Sequence, residues 1–131
     1  MITEDYVSFE VAKLLKGKGF EGNINAYYHI WDNGNRVCSV REFTHSEAPY
    51  LYIPAPTLQM ATKWLREVHN LNVEVYRTAC GYIGCIVGIP SGTDIKFLED
   101  DGDDLPSGQY TKFENACEAA IKYSIENLIN K

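Results

Sequence analysis

The sequence predicts a single α+β domain, residues 1–131, in which an antiparallel sheet carries helices mainly on one face. Three segments have apolar residues at helical spacing, and the segments between them alternate apolar and polar residues as strands do. Clusters of Asn, Asp, Gly and Pro separate the alternating segments and indicate turns. These signals give the element order α-ββ-(β)-α-ββ-(β)-α, for which helices packed on one face of an antiparallel sheet are the economical arrangement.

The first predicted helix runs from Thr3 to Lys18. Thr3 suits its start because a threonine hydroxyl can accept a backbone N–H, and two acidic residues follow it. The helix has one apolar stripe, which consists of Val7, Val11, Leu14 and Leu15. Gly17 and Gly19 then indicate its end.

A β-hairpin is predicted next. Period-two alternation from Ile24 to Trp31 gives the first strand, and Arg36 to Phe43 gives the second. The turn Asp32–Asn35 lies between them, because Asn and Gly tolerate positive φ. Alternation places Ile24, Ala26, Tyr28 and Ile30 on one face and Tyr27, His29 and Trp31 on the other.

The central part of the chain is predicted to form a short edge strand and a helix. The strand comprises Tyr50–Ile53, which is β-prone but lies among prolines. The helix covers Ala55–Leu71, with Pro56 in its first turn and Thr57 as its cap. Its apolar face consists of Leu58, Ala61, Leu65 and Val68.

A second group of strands follows this helix. The predicted strands are Asn72–Thr78, Gly81–Ile89 and Asp94–Leu98. The second is apolar on both faces, which is typical of a central strand. Each later helix thus follows a hairpin-like unit, and this order suggests a duplicated ββα element, although no residue-level repeat supports it.

An acidic segment and a final helix complete the chain. Glu99–Asp104 is interpreted as a solvated loop, because the spacing around Gly102 fails the EF-hand pattern and puts Gly108 where a glutamate is needed. Thr111 and Glu114 predict a capping box. The final helix is predicted to run close to Asn130, with a buried stripe of Phe113, Cys117, Ala120, Ser124 and Leu128, and with Ala116 and Ile121 alongside.

The charge and hydropathy of the chain exclude several classes of function. Twelve basic residues against eighteen acidic ones give a net charge of −6, with no basic cluster. We therefore expect no general nucleic-acid binding, since such proteins neutralise phosphates with Lys and Arg. No apolar run approaches the roughly 20 residues that span a bilayer, and the N-terminal residues lack the positive charge of a signal peptide. We expect a cytoplasmic protein without membrane association.

Cysteines and histidines give no recognisable metal or catalytic pattern. The four cysteines, Cys38, Cys80, Cys85 and Cys117, include no Cys-x-x-Cys pair, and the three histidines add no zinc-ligand spacing. We therefore expect no metal, no cofactor and no catalytic residue that sequence reveals. Cys85 and Cys117 are interpreted as small core residues. An enzyme would require a histidine distant in sequence to approach Cys80 or Cys85.

Aromatic and basic residues outside the helical stripes are the candidates for a binding site. Tyrosine and tryptophan provide large contact areas at low entropic cost, and arginine binds phosphates and carboxylates. The candidate binding residues are Tyr27, His29, Trp31, Arg36, Arg41, Tyr76, Arg77 and Tyr82. We expect the hairpin face with Tyr27, His29 and Trp31 to be buried in a homodimer or in a partner complex.

Three helical segments resemble a known family. The segments Ala55–Leu71, Phe113–Ile129 and the opening Ile2–Leu15 together resemble a family of small uncharacterised proteins from phages and prophages of gut anaerobes. In that family, phrases similar to Pro-Thr-Leu-Gln-Met-Ala-x-Lys-Trp-Leu-Arg-Glu and Glu-Ala-Ala-Ile-Lys-Tyr recur, and here they start at Pro56 and end at Tyr123. The resemblance covers roughly a third of the chain and lies in the helices, which serve as scaffold. It implies a mobile-element origin, hence a host cytoplasm as location, and it brings no catalytic residues. Residues 76–109 lie outside it, so we expect partner specificity there.

These observations lead to two hypotheses on function. The first is a non-enzymatic binding protein of phage or prophage origin, with a counter-defence role exerted by engaging a host protein or sequestering a small nucleotide-like ligand; we also expect a homo-oligomer. The alternative is a small enzyme with a hidden Cys/His site, or a virion-associated structural protein. The absence of a nucleophile–base pair or a phosphate loop favours the first.

Overall fold

The computed structural model describes residues 5–20, 26–30, 36–40, 52–98 and 110–129. For residues 27, 29, 30, 36–40 and 52 it describes only the backbone. Several predicted features therefore lie outside the described residues: Thr3, Ile24, Trp31, the turn Asp32–Asn35, Arg41–Phe43, Tyr50, the loop Glu99–Asp104 and Asn130.

The described residues form helices and strands in the predicted order. The elements are α1 (Phe9–Gly17), β1 (Ala26–Ile30), β2 (Arg36–Val40), β3 (Tyr52–Pro54), α2 (Leu58–Val68), β4 (Leu71–Arg77), β5 (Tyr82–Gly88), β6 (Asp94–Leu98) and α3 (Phe113–Tyr123). A π-helical segment, Ser124–Leu128, continues α3. The structure confirms the α+β class and the order α-ββ-(β)-α-ββ-(β)-α.

The strands divide between two antiparallel sheets rather than one. The first sheet has the order β2-β1-β3, and the second has the order β4-β5-β6. The central strand of the second sheet is β5, as its two apolar faces predict. The central strand of the first sheet is β1, the first of its three strands in the chain. The central strand of the second sheet is β5, the second of its three strands in the chain. The two units therefore differ in topology and do not support a duplicated ββα element.

The hydrophobic core lies between the helices and the inner sides of the sheets. Its fully buried large side chains come from α1, α2, β5 and α3 with its continuation, namely Val11, Leu15, Leu65, Ile86, Ile121 and Ile125. Tyr28 of β1 is partly buried against this core and donates a hydrogen bond of 2.7 Å to the carbonyl of Val7.

The first helix begins later than predicted. Its N-cap is Ser8, whose Oγ accepts from the Val11 N–H at 3.3 Å. The residues before it are extended, because Val7 donates its N–H to Pro56 at 3.0 Å and Asp5 accepts from Leu58 at 2.9 Å. Tertiary pairing with the start of α2 thus satisfies backbone groups that the sequence pattern assigns to a helical turn.

The predicted cap of α2 is confirmed, but its first turn and apolar stripe differ. Thr57 Oγ1 accepts from the Met60 N–H at 3.1 Å, whereas Pro56 precedes the cap. Val68 at the end of the helix is 59% exposed, while Leu65 is buried. The helix ends at Val68, where the chain turns into β4, so the side chain of Val68 does not pack against the core.

The capping box predicted for α3 is wrong. The N-cap residue is Lys112, and no side chain of the described residues caps it. The cause is a backbone pairing: Tyr82 donates to Tyr110 at 2.8 Å, and Tyr110 donates back at 2.9 Å. This bridge holds residue 110 beside β5 and shifts the helix start past Thr111. Phe113, predicted as buried, is 47% exposed.

Candidate functional site

The second sheet has an inner face that α3 covers. This face is formed by Leu71, Val73, Val75, Gly84, Ile86 and Leu98. At its centre, a Cβ added to Gly84 would lie 2.8 Å from the carbonyl oxygen of Ala116 in α3. Glycine is therefore required there by the close approach of the helix backbone to the sheet.

The opposite side of the same sheet, which we call the outer sheet face, is not covered by α3. Side chains alternate along a strand, so the register of the three strands fixes its members. These are Asn72, Glu74, Tyr76, Ile83, Cys85, Val87, Asp94 and Phe97. A register shift beside Val87 leaves Ile95 unpaired, and its Cδ1 lies toward Gly88, which belongs to the inner side.

Two aromatic side chains of the outer sheet face are exposed to solvent. Tyr76 of β4 is 43% exposed and Phe97 of β6 is 51% exposed, and they lie on opposite sides of β5. Between them, Ile83 and Val87 of β5 are half-buried. The result is an apolar surface with an aromatic ring on each flank.

A short polar network runs along β4 on this face. Glu74 Oε2 accepts from Asn72 Nδ2 at 2.8 Å, and Glu74 Oε1 accepts from the Tyr76 hydroxyl at 2.5 Å. The bond to the carboxylate raises the pKa of Tyr76 to about 12, since it stabilises the protonated phenol. Tyr76 is thus held in place as a neutral aromatic group.

Cys85 lies at the centre of the outer sheet face and is shielded by its neighbours. Its Sγ is 3.8 Å from Asp94 Oδ1, and the strand register places it opposite Glu74 and Phe97. Burial raises the pKa of the Cys85 thiol, and the Asp94 and Glu74 carboxylates raise it further. Because the thiolate is the reactive form, this environment favours a structural role for Cys85.

The structure separates the candidate residues of the second sheet. Tyr76 lies on the outer sheet face, whereas Arg77 and Tyr82 pair across the strands on the inner side. The Arg77 guanidinium lies 5.1 Å from the centroid of the Tyr82 ring, and its Nη1 donates to the Gly81 carbonyl at 3.1 Å. The Tyr82 ring contacts Phe113 edge-to-face, with a centroid distance of 6.1 Å.

The candidates of the first sheet are described only by their backbone. Tyr27 pairs with Ser39 and His29 with Val37, and Arg36 pairs with Ile30 at the hairpin end. Trp31 and Arg41 lie outside the described residues. The interface expected on this hairpin face therefore stays a prediction.

Sequence reasoning missed Glu74, Asp94 and Phe97 as site residues. Alternation within each strand is visible in the sequence, and it groups Glu74 with Tyr76. The pairing that brings Asp94 and Phe97 beside them depends on the register of β5 with β6 and on its shift beside Val87. In the sequence, the outer sheet face was indicated only by the apolar character of both faces of β5.

A separate groove lies between α1 and α3. It has a volume of about 860 Å³ and is lined by Ser8, Phe9, Glu10, Lys13, Leu14 and Glu118. Its carboxylates already have structural partners: Glu118 Oε1 accepts from the Ser8 N–H at 2.5 Å, and Glu10 forms an ion pair of 3.1 Å with Lys122. These bonds connect the two helices, so the groove is the weaker candidate.

Cys80, Cys117 and His69 lie in different parts of the structure and do not form a cluster. Cys117 lies on the buried side of α3, where desolvation raises its pKa to about 11, while Cys80 is exposed in the turn between β4 and β5. Among the described residues, the buried Nε2 of His69 has no hydrogen-bond partner, and the His69 ring contacts Trp64 at a centroid distance of 4.6 Å. Within the described part of the chain, no three His, Cys, Asp or Glu residues are grouped so that they could hold a metal ion.

Comparisons with known proteins add no family. No protein-family model, no curated protein and no solved structure matches the chain. None of the helices in the described residues has the length and apolar character needed to cross a membrane.

Proposed function

We propose that this chain is a non-enzymatic binding protein that engages a protein partner through the outer sheet face. The observation that carries the proposal is the contrast on β5, whose two faces are both apolar although α3 covers only the inner one. A strand that is apolar on both faces is typical of a sheet covered on both sides. A partner protein would supply the second cover.

The chemistry of the face supports binding rather than catalysis. Aromatic residues dominate the energy of protein interfaces, and Tyr76 and Phe97 each present about half of their surface to solvent. Tyr76 and Cys85 both have raised pKa values, so they stay protonated near neutral pH. Groups in that state contribute contact area and hydrogen bonds rather than nucleophiles.

The location of the candidate arginine favours a protein over a nucleotide-like ligand. Capture of a nucleotide would use a cation beside an exposed aromatic ring. Arg77 lies on the inner side, where its guanidinium already stacks on the Tyr82 ring and donates a hydrogen bond to the Gly81 carbonyl. The resemblance implies a phage or prophage origin. We therefore propose that the partner is a host protein and that the chain has a counter-defence role in the host cytoplasm.

Affinity capture with matched variants tests the proposal. Tagged wild-type protein, Phe97→Ser and Tyr76→Ser would be exposed to host lysate, with Val68→Ser as the control because Val68 is 59% exposed on a different element. We expect a partner that the wild type and the control retain and that both outer-face variants lose. Equal retention by all four proteins would contradict the proposal.

Sedimentation of the purified protein provides the second measurement. A homodimer that Phe97→Ser dissociates would mean that a second copy covers the face, in place of a host protein. A monomer that acquires the captured partner in a single complex agrees with the proposal.

A further inference from the structure

The charges on the outer sheet face have one sign. Its described members include the carboxylates of Glu74 and Asp94 and no Lys, Arg or His. The nearest cations in sequence, Arg77 and Lys96, belong to the inner side, where Lys96 Nζ lies 5.4 Å from the centroid of the Tyr123 ring. The face is thus apolar, aromatic and acidic.

This charge pattern argues against residues 99–109 and against a second copy of the chain as the occupant. Residues 99–109, which directly follow β6 in sequence, contain five carboxylates and no basic residue. Placing them on Glu74 and Asp94 would bring like charges together. A second copy has the same difficulty, because a two-fold contact brings the same acidic face of each copy together, in a chain of net charge −6.

The edge of the sheet is a less suitable docking place than its face. β6 is one of the two edge strands of this sheet, and it has a register shift next to Asp94 and an exposed lysine, Lys96. Bulges and lysines on edge strands are features that discourage pairing with a further strand. A partner is therefore expected to cover the side chains of the face rather than extend the sheet beyond β6.

We propose that the outer sheet face receives a basic segment of a partner protein, in which Lys or Arg alternates with apolar residues; this inference rests on the proposed function. The cationic head pairs with Asp94, which is exposed, and with the remaining lone pairs of the Glu74 carboxylate. The aliphatic stem of the same side chain packs between the rings of Tyr76 and Phe97, because the methylene groups of Lys and Arg cover apolar surface while the charged head stays outside it. Apolar neighbours in the partner cover Ile83 and Val87.

Titration of the ¹⁵N-labelled protein with defined peptides tests this inference. The probe is a capped hexapeptide of alternating Lys and Val, and the two controls replace its Lys by Glu or its Val by Ser. We expect saturable amide shifts in residues 74–76, 83–87 and 94–97 with the Lys-Val peptide, weaker shifts with Lys-Ser and none with Glu-Val. Added salt should weaken the binding, since an exposed charge pair is screened.

Two variants and a matched control locate the interaction. Asp94→Asn should weaken binding of the Lys-Val peptide by a factor of about 1.5 to 5, the range for one exposed charge pair. Phe97→Ser should weaken it by about tenfold or more, as for an aromatic anchor. Glu67→Gln, an exposed carboxylate on α2, should leave the affinity unchanged. Dispersed amide spectra confirm that each variant is folded.

The outcomes separate this inference from the proposed function. The inference is overturned if the Glu-Val peptide binds equally well, if the Lys-Val peptide gives no saturable shifts, or if Asp94→Asn has no effect. Concentration-dependent shifts of the outer-face amides without peptide would overturn it in favour of a second copy. If Phe97→Ser still abolishes capture of the host partner in any of these cases, the proposed function stands without a basic partner.

Discussion

The central strand of the second sheet, β5, is apolar on both faces, but the two faces have different surroundings. On the inner face, Gly84 brings the backbone of α3 into contact with β5, and Ile86 is fully buried. On the outer face, Phe97 and Tyr76 remain about half exposed around the shielded Cys85. The difference shows that apolar character alone does not identify the covered face. The covered face is identified by the close approach of a helix backbone, which requires Gly84 on the inner face.

The largest expected effect comes from truncating the inner face. Ile86→Ala should lower the free energy of unfolding by about 2–5 kcal/mol, because it leaves a cavity in a fully packed site. Val87→Ala, on the next residue and the outer face, removes a half-buried side chain and should cost about 1 kcal/mol or less. Urea unfolding of both variants measures the difference. Equal losses would mean that the outer face is covered as fully as the inner one.

The buried thiol of Cys117 in α3 is expected to make the free energy of unfolding depend on pH. Below pH 9 Cys117 is protonated in both folded and unfolded chains, so it adds no pH dependence. Between pH 9 and about 11 the unfolded chain releases the proton and the folded chain retains it, so stability falls as the pH rises through the folded-state pKa. The full loss is at most about 2–3 kcal/mol.

Urea unfolding of the wild type and of Cys117→Ala across this pH range isolates that effect. Tyrosines and lysines titrate in both proteins, so the difference between them reports the thiol alone. We expect the difference to change between pH 9 and 11 and to be constant below pH 9. A constant difference throughout would show that Cys117 is solvated.

A smaller effect is expected from adding a methyl group where the helix touches the sheet. Gly84→Ala places a Cβ 2.8 Å from the Ala116 carbonyl, so α3 has to shift, at a cost of about 2 kcal/mol. Gly17→Ala is the control, because its added Cβ meets no atom within 4 Å. Thermal unfolding compares the two. An unchanged melting temperature for Gly84→Ala would contradict the close contact.

The smallest expected effect is on the stability of the outer-face variant. Phe97→Ser should change the free energy of unfolding by about 1 kcal/mol or less, because half of the side chain is already in water. The same substitution is expected to abolish partner binding. Stability and binding would thus respond to opposite faces of one sheet, and a strong destabilisation by Phe97→Ser would show that the ring belongs to the core.

Local signals in the sequence determined the class of the fold and the order of its elements. Apolar periodicity, β-prone composition and turn residues located the three helices and the six strands, the bounds Asp94–Leu98 agree with β6, and Thr57 caps α2 as its hydroxyl predicts. These features depend on neighbours within a few residues, so the pattern of the chain contains them. Of the candidate site, the sequence supplied Tyr76 and the two apolar faces of β5.

The tertiary structure decided what depends on residues far apart in the chain. Pairing of Asp5 and Val7 with the start of α2 delayed α1, and the bridge between Tyr82 and Tyr110 displaced the cap of α3. The division into two sheets, the cover on the inner face and the approach of Asp94 and Phe97 to Glu74 and Tyr76 follow from strand register. Register depends on backbone hydrogen bonds between strands, and every residue except proline offers the same N–H and C=O groups, so the backbone by itself does not select the partner strand.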